Sequence, residues 1–142
     1  MHQGLAGVVV LWLALACSPA PRTVEVVAID YMYELPGVVA AGPTRFELTN
    51  RDDVPHQVLI YRFRPGIGSD SARELLARHE VSDSLLEPGR AALIARPGET
   101  VPSARPTELK PGQVWGLECT LQDSDTEPKH NTMGMYAVLE VR

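Results

Sequence analysis

Thr44-Arg45-Phe46-Glu47-Leu48-Thr49-Asn50-Arg51-Asp52-Asp53-Val54-Pro55-His56-Gln57-Val58-Leu59-Ile60 is the stretch from which the fold is read. Polar and apolar residues alternate cleanly from Arg45 to Asn50, which predicts a strand with Phe46 and Leu48 facing a core. A polar corner follows, and Pro55-His56 opens a second β-branched and aromatic run through Phe63. Towards the N-terminus, residues 23–30 read as another strand, Tyr31 to Gly37 as a turn-rich connection to Val38-Val39, and Ala41-Gly42-Pro43 as punctuation. Beyond residue 65 the pattern changes. Ser71-Ala72-Arg73-Glu74 is a capping-box pattern, with Ala72, Leu75, Leu76 and His79 on one helical face, so a helix of about two turns is expected.

Glu87-Pro88-Gly89 is read as a turn into a strand over 91–95, and the Pro/Gly-rich stretch 97–106 as irregular. Lys110-Pro111-Gly112 then feeds the strand 113–119, and 136–142 closes the domain. Short strands separated by turns, with one short inserted helix, predict an all-β fold, a Greek-key β-sandwich. No internal repeat or nucleotide-binding glycine motif interrupts that reading.

Four side chains carry the chemistry: His56, Cys119, His130 and Met135. Each falls at the end of a predicted strand or in the loop between two strands, so one pole of a sandwich can collect them. A thiolate, two imidazoles and a thioether form the donor set that holds one copper ion as a trigonal His₂Cys site with a long axial Met, a type 1-like site suited to single-electron transfer. Met133 is a competing thioether, and Gly134 permits the tight turn that delivers Met135. Taken singly, each candidate also has a plain structural reading: a loop histidine, a buried small thiol, a methionine plugging the core. His2 and His79 have no such companions.

Residues 44–60 resemble the first-ligand segment of cupredoxins such as plastocyanin and pseudoazurin, in which a strand ends in Asn and a Pro-His pair opens the next. Residues 109–142 resemble the closing segment of the same blue-copper family: a Leu-Lys-Pro-Gly turn, a strand ending in Cys119, a ligand loop, His130, four residues, Met135 and a last strand. The resemblance implies that His56 is the first copper ligand, that Cys119, His130 and Met135 are the others, and that Met135 outranks Met133 by its spacing from His130. It covers the segments 23–64 and 107–142. One departure stands out: the family usually places only a few residues between Cys and the second His, whereas Thr120 to Lys129, ten residues, intervene here. A long loop costs more entropy to close. That motivates an alternative, a metal-free cupredoxin-like binding or structural module; copper storage or delivery would use the same ligands.

The insert contains Asp123, Asp125 and Glu127, which read first as a solvated face and otherwise as an acidic docking surface or hard ligands. Asp52 and Asp53 near His56 are likewise surface carboxylates or acceptors for a ring N–H. The 142-residue chain is 44% hydrophobic and carries a net charge of −5, which suits one globular domain and disfavours nucleic-acid binding. A redox partner would present a basic patch.

Residues 1–16 lack charged side chains, and the apolar run 5–16 fits a signal peptide, so the chain is expected to be exported to the periplasm or cell envelope. Cys17, ahead of Ser18-Pro19-Ala20-Pro21, resembles a lipoprotein cleavage site. Lipidation at Cys17 would make the membrane contact a lipid anchor only, with 17–22 a tether and 23–142 the cupredoxin-like domain; Ala14-x-Ala16 also suits ordinary cleavage and free secretion. Cys119 is then an unpaired thiol in an oxidising compartment, a state that burial or metal explains. Enzyme chemistry has little support, because no elbow motif accompanies a serine and Cys119 ends a strand amid acidic neighbours.

Overall fold

Alternation along Thr44, Phe46, Leu48 and Asn50 buries all four on one face of a strand, as the pattern predicts. The computed structural model describes residues 19–142; the expected signal segment 1–16 and Cys17 lie outside the described residues. In chain order the strands are β1 (Arg22–Ile29), β2 (Met32–Glu34), β3 (Val38–Val39), β4 (Gly42–Asn50) and β5 (His56–Phe63). The one α-helix among the described residues, α1 (Ser69–Ala77), precedes β6 (Leu86–Ala95), β7 (Thr100–Pro102), β8 (Thr107–Leu109), β9 (Val114–Glu118) and β10 (Tyr136–Val141).

Two five-stranded sheets result. One runs β2-β1-β4-β7 with β8 also on β4, and the other runs β3-β10-β9-β5-β6. β1 lies parallel to β4, Val24 opposite Phe46 and Val26 opposite Leu48. Phe46 and Leu48 meet Val58, Ile60, Leu117 and Leu139 from the facing sheet in one buried core, each large side chain contributing about 1.5–3 kcal/mol by leaving water. This is a β-sandwich with mixed sheets and one short helix.

The second sheet is covered on part of its outer face as well. α1 lays Ala72 and Leu76 over Tyr61, Phe63, Val114 and Val138 on its outer side. Gly116 belongs to that packing: a Cβ there would sit 2.5 Å from Tyr61 Cε2, so the absent side chain is what admits the tyrosine ring.

Five local expectations need correction. The helix begins earlier than the capping box predicts: Gly68 is an extended N-cap with no side-chain cap, and its O accepts the first helical bond, from Ala72 N at 2.9 Å. His79 is exposed past the helix end with φ 55, not on its apolar face. Residues 87–89 are not a turn but part of the ten-residue β6, which is an edge strand; Pro88 forfeits no ladder bond there, and the irregularity opposite Tyr61 and Phe63 absorbs the local distortion. The 31–37 connection also contains β2, and the Pro/Gly stretch contains β7. Asp30 and Tyr31 form a two-residue hairpin turn, Ile29 paired with Met32, and both adopt left-handed φ, 51 and 56.

Candidate metal centre

The β4–β5 corner is built by Asn50. Its side chain is buried, donates to Val54 O at 2.8 Å and Ala95 O at 2.9 Å, and accepts from Asp52 N at 2.9 Å. These bonds give an irregular turn the backbone partners that a strand would otherwise supply. His56, the first residue of β5 and paired with Ala95, is thereby fixed with 0% exposure.

Its Nε2 donates to Asp52 Oδ2 at 2.6 Å. Burial would raise the Asp52 carboxyl, but amide donation from Asp30 and Tyr31 together with the His56 contact holds it below its ordinary value. An ionised carboxylate only accepts, so the ring proton sits on Nε2 and Nδ1 is left as a lone pair. Burial also lowers the His56 pKa, outweighing the neighbouring Asp52 charge, which keeps the ring neutral.

Cys119 follows β9. Its N donates to Met135 O at 3.0 Å and its O accepts from Asn131 N at 2.7 Å, so the two ends of the ligand loop are laced together. His130 N donates to Leu121 O at 2.8 Å and pinches the ten-residue excursion at its base. His130 opens a 3-10 turn, His130–Met133, which Gly134 ends at φ 109; nothing lies within 4 Å of where its Cβ would be, so conformation and not space demands glycine. Met135 N then returns to His130 O at 3.0 Å.

The other ring repeats the first. His130 is 1% exposed, and its Nε2 donates to Asp123 Oδ1 at 2.9 Å. The phenol of Tyr31, at the tip of the β1–β2 hairpin, donates to Asp123 Oδ2 at 2.5 Å, which lowers the Asp123 carboxyl and pushes Tyr31 up to about 12. The Tyr31 ring stands edge-on to both imidazoles, centroids 5.5 Å from His56 and 4.9 Å from His130.

Three donor atoms converge beneath it. His56 Nδ1 lies 3.2 Å from His130 Nδ1, and Cys119 Sγ lies 3.4 Å from His130 Nδ1. His56, Cys119 and His130 form a buried group whose ligand atoms are all within 4.8 Å of one another. Burial raises the Cys119 thiol, countered by the amides of Gln57 and Leu121 and by the Tyr33 hydroxyl. Gln57 N approaches Sγ at 3.3 Å. Two ring lone pairs pointing at each other beside a sulfur repel unless a cation or a shared proton stands between them. Met135 is fully buried in the same cluster as Cys119, whereas Met133 is 46% exposed. Two imidazoles, one thiol and one buried thioether fit a single copper ion.

All four residues singled out in the sequence therefore lie at one pole. Asp52 serves as a ring acceptor, and Asp123 does the same from within the insert, while Asp125 and Glu127 stay exposed. Sequence reasoning missed Tyr31, Tyr33 and Gln57. The signal for Tyr31 was Asp30-Tyr31 standing between two short β-prone runs, a hairpin tip without the usual Asn or Gly.

No protein-family model and no curated protein sequence matches this chain. Among solved structures it is similar to dithionite-reduced auracyanin from Roseiflexus castenholzii, with TM-score 0.53 and 19% identity over 87% of this chain and 99% of that one. Auracyanin B matches with TM-score 0.53 and 19% identity, covering 89% of this chain and 93% of its own. Auracyanin A, a blue copper protein from Chloroflexus aurantiacus, matches with TM-score 0.50 and 15% identity over 87% of this chain and all of its own, 100%. At these identities the likeness establishes the fold, the cupredoxin sandwich.

Proposed function

We propose that this chain is an exported, mononuclear, type 1-like copper protein that carries single electrons. The observation behind it is the convergence of His56 Nδ1, His130 Nδ1 and Cys119 Sγ, a buried arrangement that a cation or a shared proton must reconcile and whose donor types suit copper. Cys119 supplies the thiolate, His56 and His130 supply equatorial imidazoles through Nδ1, and Met135 supplies the weak axial sulfur. A bound copper ion would contribute a one-electron couple between Cu(II) and Cu(I). The residues do the rest: the β4–β5 corner and the laced loop fix the donors before metal arrives, and burial under Tyr31 excludes water from them.

Cu(II) added to purified protein is expected to give an intense thiolate-to-copper absorption that Cys119→Ser abolishes. A colourless protein with no bound copper overturns the reading. Copper storage or delivery predicts rapid loss of metal to a chelator; donors this buried favour retention.

Asp52, Asp53, Asp123, Asp125 and Glu127 share the pole or its loop, so the redox partner would dock through a basic patch. No helix among the described residues is long and apolar enough to cross a membrane. Attachment in this reading is through acyl chains on Cys17, two or more being needed for a stable anchor. Cys17→Ser should release the protein from membranes or block its processing, and a mature chain that starts elsewhere and is wholly soluble refutes the anchor.

A further inference from the structure

Resting on the copper reading above, we propose that Asp52 and Asp123 are paired positioning residues. Each holds its imidazole as the Nε2–H tautomer and places negative charge behind it, so that the centre favours Cu(II) over Cu(I) and works at a low potential.

The two contacts are chemically the same but built from unrelated parts of the chain. Asp52 reaches His56 Nε2 from the β4–β5 corner, at 2.6 Å, and Asp123 reaches His130 Nε2 from the ten-residue excursion, at 2.9 Å. Tyr31 joins them. Its backbone N donates to Asp52 Oδ2 at 3.4 Å, and its hydroxyl donates to Asp123 Oδ2. Asp52 Oδ1 takes Asp30 N at 2.8 Å, so each carboxylate has both oxygens engaged and neither can rotate away without losing a partner.

A carboxylate on the far nitrogen fixes the ring tautomer and makes the near nitrogen a more basic ligand. More basic ligands, with negative charge just beyond them, stabilise the more highly charged metal state. The effect is large here because both rings are almost wholly removed from water, where charge is screened least. The length of the Cys119–His130 connection gains a purpose on this view. Pinched at Leu121 and His130, it carries Asp123 back over the imidazole and under the Tyr31 hydroxyl, which a connection of a few residues has no side chain to do.

Two measurements test it. Ring-nitrogen chemical shifts in the metal-free protein should report a proton on Nε2 of both His56 and His130, any proton shared between the two Nδ1 atoms being additional to these. Reduction potentials of the copper-loaded protein should rise in Asp52→Asn and in Asp123→Asn, since Asn keeps the shape and an acceptor but removes the charge. Each should shift the Cu(II):Cu(I) preference about tenfold, which is about 59 mV for a one-electron couple. Asp123→Glu should return the potential towards wild type. Tyr31→Phe should move it the opposite way from Asp123→Asn, because Asp123 then accepts from His130 alone; this variant keeps the ring packing and serves if an Asn variant does not fold. Unchanged or lowered potentials in both Asn variants, or an Nε2 that carries no proton in either ring, overturn the proposal. A wild type that takes up no copper overturns the preceding reading and the potential with it, while the tautomers are decided in the metal-free protein regardless.

Discussion

The two histidines end in the same chemistry but are held by different kinds of structure. His56 stands at the start of a strand, and its carboxylate partner is four residues away in a corner that Asn50 ties down with three hydrogen bonds. His130 stands after an exposed loop, and its partner Asp123 is held by Tyr31, with a side chain 27% exposed. One half of the centre is part of the sandwich core; the other is folded onto it. The difference teaches that a ligand can be rigid because its element is rigid, or because a few contacts pin a loop that has no regular structure of its own. Substitutions should separate the two cases.

The largest effect is expected at Asn50. Asn50→Ala removes the donor to the buried carbonyl of Ala95, at about 1–3 kcal/mol for a buried group left unpaired, and the donor to the part-buried carbonyl of Val54. Global stability and copper affinity should fall together, read as urea midpoints and competitive chelator titrations. If stability falls and copper affinity does not, the corner is not what holds His56.

Gly116→Ala comes next and acts on neither half. A new Cβ would meet the Tyr61 ring at 2.5 Å, so overpacking should cost about 1–3 kcal/mol while the copper spectrum stays as in wild type. A changed spectrum would mean that the α1-covered face and the metal pole are coupled.

On the loop half, Gly134→Ala forces a side chain into φ 109 with open space around it, a strain of about 1–2 kcal/mol. Copper affinity should drop more than global stability does, the reverse weighting from Asn50→Ala. Equal losses in both variants would erase the distinction drawn here.

Acid should expose the same division in the metal-free protein. The His56 pKa is depressed by burial below its ordinary 6.5, so the unfolded chain binds a proton that the folded one resists, and stability declines as pH falls below that value. Asp52 and Asp123 have lowered pKa values; their contribution is present above the ordinary 3.8 and is lost as pH falls through the lower folded values. At the other extreme Tyr31, raised from 10.0 to about 12, contributes stability that is full below pH 10 and lost as pH approaches 12. Denaturation midpoints between pH 3 and 8 check the first two steps, and ultraviolet titration of the phenol checks the third. A midpoint that is flat from pH 8 to 5 contradicts the burial of His56 as a neutral ring. The smallest effect belongs to Met133→Ala, within about 0.5 kcal/mol and without change in the copper spectrum, because that side chain is exposed.

The strand-held half was the legible one. Period-two alternation put Phe46 and Leu48 in the core, and Asn50 and Pro55-His56 marked the corner, because a sheet with one buried face writes its register into the sequence. The second half gave up its donors but not its support. Cys119, His130 and Met135 were found by type and order, whereas Asp123 looked like any acid in a polar loop, since its role depends on Tyr31, 92 residues away in the chain. Tyr31 itself was hidden in a hairpin whose Asp-Tyr turn lacks the expected glycine, and the cost of its left-handed backbone is offset by contacts that only the folded molecule displays. Local signals failed also where a neighbour changed their meaning, as at Pro88, which an edge strand accommodates and an interior strand would not.

β10 follows the ligand loop in the chain yet occupies an interior place in its sheet, between β3 and β9. Folding therefore cannot zip along the sequence. β5 and β9 must find each other across more than fifty residues, and β9 keeps an open edge until the chain has passed Met135 and turned back. Such non-local pairing folds on a timescale of about milliseconds to seconds. The β9–β10 seam is also the one that brings Cys119 and Met135 together, so the full set of donors is gathered only when that seam closes.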